Sequence, residues 1–216
     1  MQKIKLLLLI ILMISITIIQ KVKGNDLDLL GKVIYLDPGH GGIDPGCTYK
    51  DIYEKNINLE IALKLRDKLE SNGAIVYLTR DADVDLSIST YNHKRSDLNN
   101  RIKAINNSKA NMYISIHLNS LESSTWYGVQ LFYDDINIEN EKIAKIMQKN
   151  IKDLNGNRKY KKQNNLYLLK NINIPGLLVE VGFLSNANER YMLQTKDYQD
   201  KVVKSLYKGI VEYLNG

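Results

Sequence analysis

Apolar residues open the chain as a run from Leu6 to Ile19, interrupted only by Ser15 and Thr17 and preceded by Lys3 and Lys5. That is the layout of an export signal. Its fourteen residues fall short of the roughly 20 that cross a bilayer as a helix. Residues 1–24 therefore read as a signal peptide or an amino-terminal membrane anchor, and residues 25–216 as the folded domain. Beyond it the pattern changes to short β-branched runs alternating with segments of helical period. Lys32 to Leu36 is a strand that delivers the chain into Asp37-Pro38-Gly39-His40-Gly41-Gly42, a tight turn. From Glu54 to Asn72 the residues Ile57, Ile61, Leu65 and Leu69 recur every fourth position, with Gly73 as the stop, so a helix is expected with Glu54 in its first turn.

The alternation continues. Ala74 to Thr79 is expected as a strand, Arg80 to Lys94 as a polar loop, and Asp97 to Ser108 as a helix. Met112 to Leu118 and Val129 to Tyr133 read as strands, and Ile138 to Leu154 as an amphipathic helix ahead of a basic, Asn-rich loop. Leu166 to Leu169 reads as extended, Leu177 to Phe183 as a buried strand with a single acid in it, and Asn188 to Gln194 and Tyr198 to Leu214 as closing helices. The rhythm predicts a single α/β domain, a mostly parallel mixed sheet of about six strands flanked by helices on both faces. In such sheets ligands gather at the carboxyl ends of the strands, which is where His40, His117 and Glu180 fall.

Composition narrows the chemistry. Hydrophobic residues at 44% and charged residues at 25% are ordinary for a globular chain of 216 residues. The net charge of +6 owes four lysines to the leader; from Asn25 onward 26 basic residues face 24 acids, 26 − 24 = +2. No nucleic-acid partner is expected at so small an excess. The single cysteine, Cys47, excludes an internal disulfide and a zinc–thiolate cluster, and no base stands beside it in sequence to make it a nucleophile. Any metal must be held by the three histidines and the carboxylates.

A catalytic zinc site uses about three protein ligands and keeps one position open. His40, Glu54 and His117 could supply such a set from a turn, a helix start and a strand end. Taken singly each has an ordinary reading: a polar turn residue, a helix amino-terminal acid favoured by the dipole, a hydrogen-bonded strand-end histidine. His93, in a charged stretch, reads as exposed. Glu180 is more telling, because a carboxylate among Leu178, Val179 and Val181 costs several kcal/mol unless it is paired or lies near a cation. It is either half of an ion pair or a general base made more basic by desolvation.

Together, the segments Leu36 to Gly42, Glu54, Thr79-Arg80, Ile114 to Asn119 and Val179 to Phe183 resemble those of zinc-dependent N-acetylmuramoyl-L-alanine amidases, and within that family the germination-specific, spore-cortex branch. The resemblance runs from about Lys32 to Leu214. It implies Zn2+ held by His40, Glu54 and His117, Glu180 as the catalytic acid or base, and peptidoglycan as the substrate, cut at the amide between N-acetylmuramic acid and L-alanine. In a spore former it implies stem-peptide removal ahead of muramic-lactam formation, by an exported enzyme secreted to or anchored at the cell wall or cortex. Asp37 is expected to orient a His ligand. The stretch from Asn119 to Gly128 is too short for the inhibitory helix some members insert there, and no wall-binding repeat is present. Targeting is therefore expected from membrane contact through the amino-terminal segment or from a membrane-associated partner protein. Two rivals remain: a zinc carboxypeptidase, with Arg80, Arg95 or Arg101 fixing a free carboxylate, and a wall-binding module without catalysis.

Overall fold

The computed structural model describes Met13 and residues 27–216, so the expected leader lies outside the described residues apart from Met13. Eight strands and five α-helices follow in the described part. In chain order they are β1 (Val33–Pro38), β2 (Thr48–Tyr49), β3 (Ile52–Tyr53), α1 (Glu54–Glu70), β4 (Ile75–Leu78), α2 (His93–Asn107), β5 (Met112–Asn119), β6 (Gln130–Tyr133), α3 (Glu139–Asn150), β7 (Lys161–Lys162), β8 (Gly176–Phe183), α4 (Ala187–Leu193) and α5 (Lys196–Asn215). Six strands form one sheet in the order β4-β1-β5-β8-β6-β7, and β2 and β3 form a small hairpin. Every pairing in the large sheet is parallel except β6 with β8. The expected single α/β domain with a mostly parallel six-stranded sheet is what folds. Among the described residues no helix is long and apolar enough to cross a membrane.

The sheet's two faces differ. One carries Ile34, Leu36, Ile114, Ile116, Leu177 and Val179 against α1, α3 and α5, in a single large core. The four-residue period of α1 is spent here: Ile57, Ile61, Leu65 and Leu69 are all buried, each burial contributing about 1.5–3 kcal/mol. The opposite face carries Tyr35, Tyr113 and Leu178 in a smaller core, closed by α2 and by the segment holding Leu168, Leu169, Ile172 and Ile174. Asp37, Ser115, His117, Glu180 and Gln130 alternate onto this second face, since Asp37 pairs Ser115, His117 pairs Glu180, and Glu180 pairs Gln130 across adjacent strands.

Three segments depart from the sequence expectation. α2 begins at His93, four residues before Asp97, and its buried stripe is Asp97, Arg101 and Ile105; a helix whose inner face is charged hides its start from a hydrophobic period. Leu166 to Leu169 is not extended but leads through turns into a 3-10 helix (Leu169–Asn171), because its consecutive apolar residues plug the second core instead of alternating. β7 has no apolar pattern to announce it, being two exposed lysines at the sheet edge, where charge blunts pairing with other chains.

The Tyr113 hydroxyl is buried without a hydrogen-bond partner. Removing it abolishes an unmet polar group, so Tyr113→Phe is expected to melt no lower than the parent protein; calorimetric unfolding showing a loss above about 1 kcal/mol would mean the hydroxyl is satisfied after all.

Candidate active site

The turn after β1 is built from left-handed backbone. His40 (φ 61) is followed by Gly41 (φ 134) and Gly42 (φ 56). A non-glycine residue in that region carries a conformational cost, and here the surroundings impose it. Two buried arginines grip the turn's carbonyls. Arg80 donates from Nε to Pro38 O (3.0 Å) and from Nη2 to Gly39 O (3.0 Å). Arg101 donates from Nη1 to Pro38 O (2.9 Å) and from Nη2 to His40 O (2.6 Å). Arg101 in turn is held by Asp97 (2.7 Å) and Asp37 (2.8 Å).

Around this turn the structure gathers His40, Glu54 and His117, whose ligand atoms all lie within 4.8 Å of one another. His40 Nε2 is 3.3 Å and His117 Nδ1 3.0 Å from Glu54 Oε1. Glu54 is fixed at the start of α1 by further donors: the backbone N–H of Cys47 to Oε2 (2.8 Å), that of Leu118 to Oε1 (3.0 Å), and the Asn58 amide to Oε1 (3.2 Å). Burial pushes the Glu54 carboxyl up, but the hydrogen bonds from His117 and His40 outweigh it and hold the group far below the usual carboxylate range. For His40, burial pulls downward, and Asp44 and Glu54 more than reverse it, raising the imidazole to about 9. A pocket that makes its carboxylate this acidic and its imidazole this basic is electrostatically prepared for positive charge.

Glu180 stands beside His117 in the β5–β8 register. Its Oε2 is sealed and has no hydrogen-bond partner. Burial, followed by neighbouring charges that partly cancel, raises its carboxyl to about 7. The ion-pair alternative for this residue therefore finds no support: no lysine or arginine pairs with it among the described residues. The cluster borders a cleft of about 170 Å³ lined by Asp37, His40, Arg101, His117 and Tyr167 among others.

Several roles differ from expectation. Asp37 does not touch a histidine; it accepts from Arg101, from Thr79 Oγ1 (2.8 Å) and from Ser115 Oγ (2.7 Å). The carboxylate on His40 Nδ1 is Asp44, at 2.8 Å. His93 is half-buried and pairs with Asp85 (3.1 Å), away from the cluster. Of the arginines that a carboxypeptidase would need, Arg80 and Arg101 are engaged in the turn, and Arg95 lies over the ring of Tyr167 at the cleft wall, 3.4 Å from its centroid. Burial, with Glu54 nearby, pushes the Cys47 thiol up to about 12, which removes it as a nucleophile.

Residues 34–212 match the family model described as N-acetylmuramoyl-L-alanine amidase. The chain belongs to the N-acetylmuramoyl-L-alanine amidase family. Over 193 residues it is 47% identical to the germination-specific N-acetylmuramoyl-L-alanine amidase of Bacillus subtilis (strain 168), covering 87% of this chain and 81% of that one. Among solved structures it is similar to the CwlD amidase of Clostridioides difficile in complex with the GerS lipoprotein. That match has a TM-score of 0.81 at 43% identity and covers 86% of this chain and 99% of that one. The catalytic domain of the amidase CwlV from Bacillus (Paenibacillus) polymyxa var. colistinus matches with a TM-score of 0.75 at 34% identity, over 85% and 98% of the two chains. The amidase thus acts on the amide that joins N-acetylmuramic acid to L-alanine in peptidoglycan.

Gly39 supplies one test of the site's tolerance. A Cβ there would lie 2.1 Å from the His117 ring. Gly39→Ala is expected to displace His117 and lower turnover by about 10–100-fold. Turnover matching the parent would contradict the contact.

Proposed function

We propose that His40, Glu54 and His117 hold a zinc ion and that Glu180 moves the protons of the hydrolysis. The observation that carries this reading is the three-ligand cluster beside a sealed, unpartnered carboxylate on the adjoining strand. Two imidazoles and one carboxylate are a donor set suited to catalytic zinc, and Asp44 on the far nitrogen of His40 is the kind of partner that fixes a ligand's tautomer. When bound, zinc supplies Lewis acidity, polarising the substrate carbonyl and lowering the pKa of water toward about 7. Glu180 accepts the proton of the attacking water and returns it to the alanine nitrogen as the amide breaks, so the amine leaves neutral. Its raised basicity suits both transfers. The turn held by Arg80 and Arg101 keeps His40 in place, and the donors on Glu54 leave that carboxylate little freedom to swing toward the substrate.

The hydrophobic leader and the cell-wall substrate support an extracytoplasmic enzyme, with residues 1–24 as signal or anchor and 25–216 as the catalytic domain. The germination-specific relative supports stem-peptide removal in the spore cortex, and the lipoprotein bound to the Clostridioides amidase supports a membrane-associated partner. End-group analysis of peptidoglycan treated with the protein tests the reading. New L-alanine amino termini without new reducing sugar ends, abolished by a chelator and restored by zinc, are expected. Release of terminal amino acids from free peptides would favour a carboxypeptidase instead, and binding to the wall without cleavage a non-catalytic module.

A further inference from the structure

A groove of about 610 Å³ runs between α1 and α5, apart from the metal-ligand cluster. Lys64 and Lys68 line it from α1, and Lys204 and Lys208 from α5, together with Val203 and Tyr207. Of these lysines Lys64 pairs with an acid, Asp200, at 3.0 Å. Asp67, the other acid at the groove, is taken by Arg66 at 2.8 Å, and Lys68 lies over the Tyr207 ring, 5.0 Å from its centroid. Lys204 and Lys208 are exposed and pair with no acid among the described residues. Lys201, one turn earlier on α5, is exposed as well, so Lys201, Lys204 and Lys208 make a basic stripe at i, i+3 and i+7.

The amino-terminal end of the domain lies beside this groove. Asp28 accepts from the Tyr207 hydroxyl at 2.8 Å, its carbonyl accepts from the Asn215 amide at 2.9 Å, and the Leu29 N–H donates to Asn72 O, just past α1, at 3.0 Å. Leu27 and Leu30 are exposed there. The apolar leader is followed by Lys21 and Lys23, and Gly24 is three positions before Leu27, at most about 10 Å of chain. We infer that the lysine groove rests on the surface of an anionic phospholipid membrane, next to the point where the leader joins the domain. This rests on the reading of residues 1–24 as a signal or anchor. The leader's fourteen apolar residues make a short anchor, and a weak apolar anchor holds firmly once a basic patch adds a second attraction. Lysine stems and the Tyr207 ring suit the headgroup layer, where apolar bodies with polar tips settle. The orientation also serves the chemistry. Glu54 opens α1, and Lys64 and Lys68 come ten and fourteen residues later, roughly 15 and 21 Å along the axis. A domain seated by this groove keeps its metal-ligand cluster toward the other end of α1, clear of lipid and open to peptidoglycan.

The full chain is mixed with vesicles of phosphatidylcholine alone or of equal parts phosphatidylcholine and phosphatidylglycerol. Partition is read by flotation, and acetylation of each lysine by mass spectrometry. Lys68, Lys204 and Lys208 are expected to be acetylated about tenfold more slowly on anionic than on neutral vesicles, while Lys159 and Lys161, exposed near the β7 edge, react alike on both. The double variant Lys204→Gln/Lys208→Gln, which touches no part of the active site, is expected to bind anionic vesicles about tenfold more weakly. Molar salt should remove the difference between the two vesicle types. Equal acetylation on both vesicles, unchanged binding by the double variant, or no partition onto anionic vesicles would each overturn the inference. So would protection of the lysines by soluble poly(glycerol phosphate) but not by vesicles, which would assign the groove to a polyanion of the wall. Binding to neutral vesicles with the lysines unprotected on either kind keeps the leader as an anchor and sinks the groove. Salt-sensitive, lysine-protecting binding to anionic vesicles alone does the reverse.

Discussion

Glu180→Gln is expected to slow hydrolysis by about 10²–10⁴-fold, the usual weight of a positioned proton-transfer group, while zinc content stays that of the parent. Glutamine keeps the volume and one carbonyl oxygen but cannot accept a proton from water or hand one to an amine. The same substitution reads out the burial of the carboxylate. In the metal-free protein burial raises the Glu180 pKa from 4.5 to about 7, so between those values the folded state binds the proton that the unfolded chain has released. A group with such a raised carboxyl pKa loses stability as pH rises through that window. Metal-free parent protein should therefore lose stability relative to Glu180→Gln as pH climbs from about 4.5 to about 7, with the difference level above it. Unfolding midpoints across that range check the sign. Activity within tenfold of the parent would remove Glu180 from the chemistry, and a pH-independent stability difference would mean its carboxylate is better solvated than its position implies.

Arg101→Met is expected to cost about 3–5 kcal/mol, the range for breaking a buried charge cluster by removing one partner. Arg101 is 2% exposed, Asp37 0% and Asp97 6%. Burial alone would push the Asp37 carboxyl up, yet Arg101 beside it and the Ser115 hydroxyl hold it below the ordinary value. Methionine fills much of the volume but leaves Asp37 charged and enclosed, and it releases the Pro38 and His40 carbonyls as well. Zinc affinity should fall together with stability, because the backbone of His40 loses its clamp. Adding Asp37→Asn to Arg101→Met should recover part of the stability, since one of the two stranded charges is gone while Asp97 keeps the other, but not the affinity. Denaturant unfolding and metal titration of the three proteins separate these effects; a loss below about 1 kcal/mol for the single variant would show that the cluster behaves as a surface ion pair.

The alternating runs made the sheet legible, and α1 announced itself through Ile57, Ile61, Leu65 and Leu69. His40, His117 and Glu180 stood out because each is an odd residue at the end of, or inside, an apolar strand. The support around them was not visible. Arg101 reaches Asp37 across 64 positions and Arg80 reaches Gly39 across 41, and no local period encodes a side chain whose partners are that distant. Asp44 lay closer to view, four residues after His40 at the end of a glycine turn, but a turn's geometry decides which carboxylate faces the ring. β7 left no trace because two exposed lysines have no inner face to pattern.

The order of the sheet bears on when the enzyme becomes competent. β8 is the last strand in the chain, yet it lies between β5 and β6, so β6 and β7 have no bond to the rest of the sheet until it arrives. The three residues suited to hold a metal ion are complete by residue 117, whereas Glu180 comes with that closing strand. Pairings between strands distant in sequence form slowly, and the one between β5 and β8, which starts with Tyr113 beside Gly176, must wait for the end of the chain. A chain cut short before residue 176 has His40, Glu54 and His117 but neither Glu180 nor the strand that ties β6 to β5, so hydrolysis is expected to wait for the whole chain.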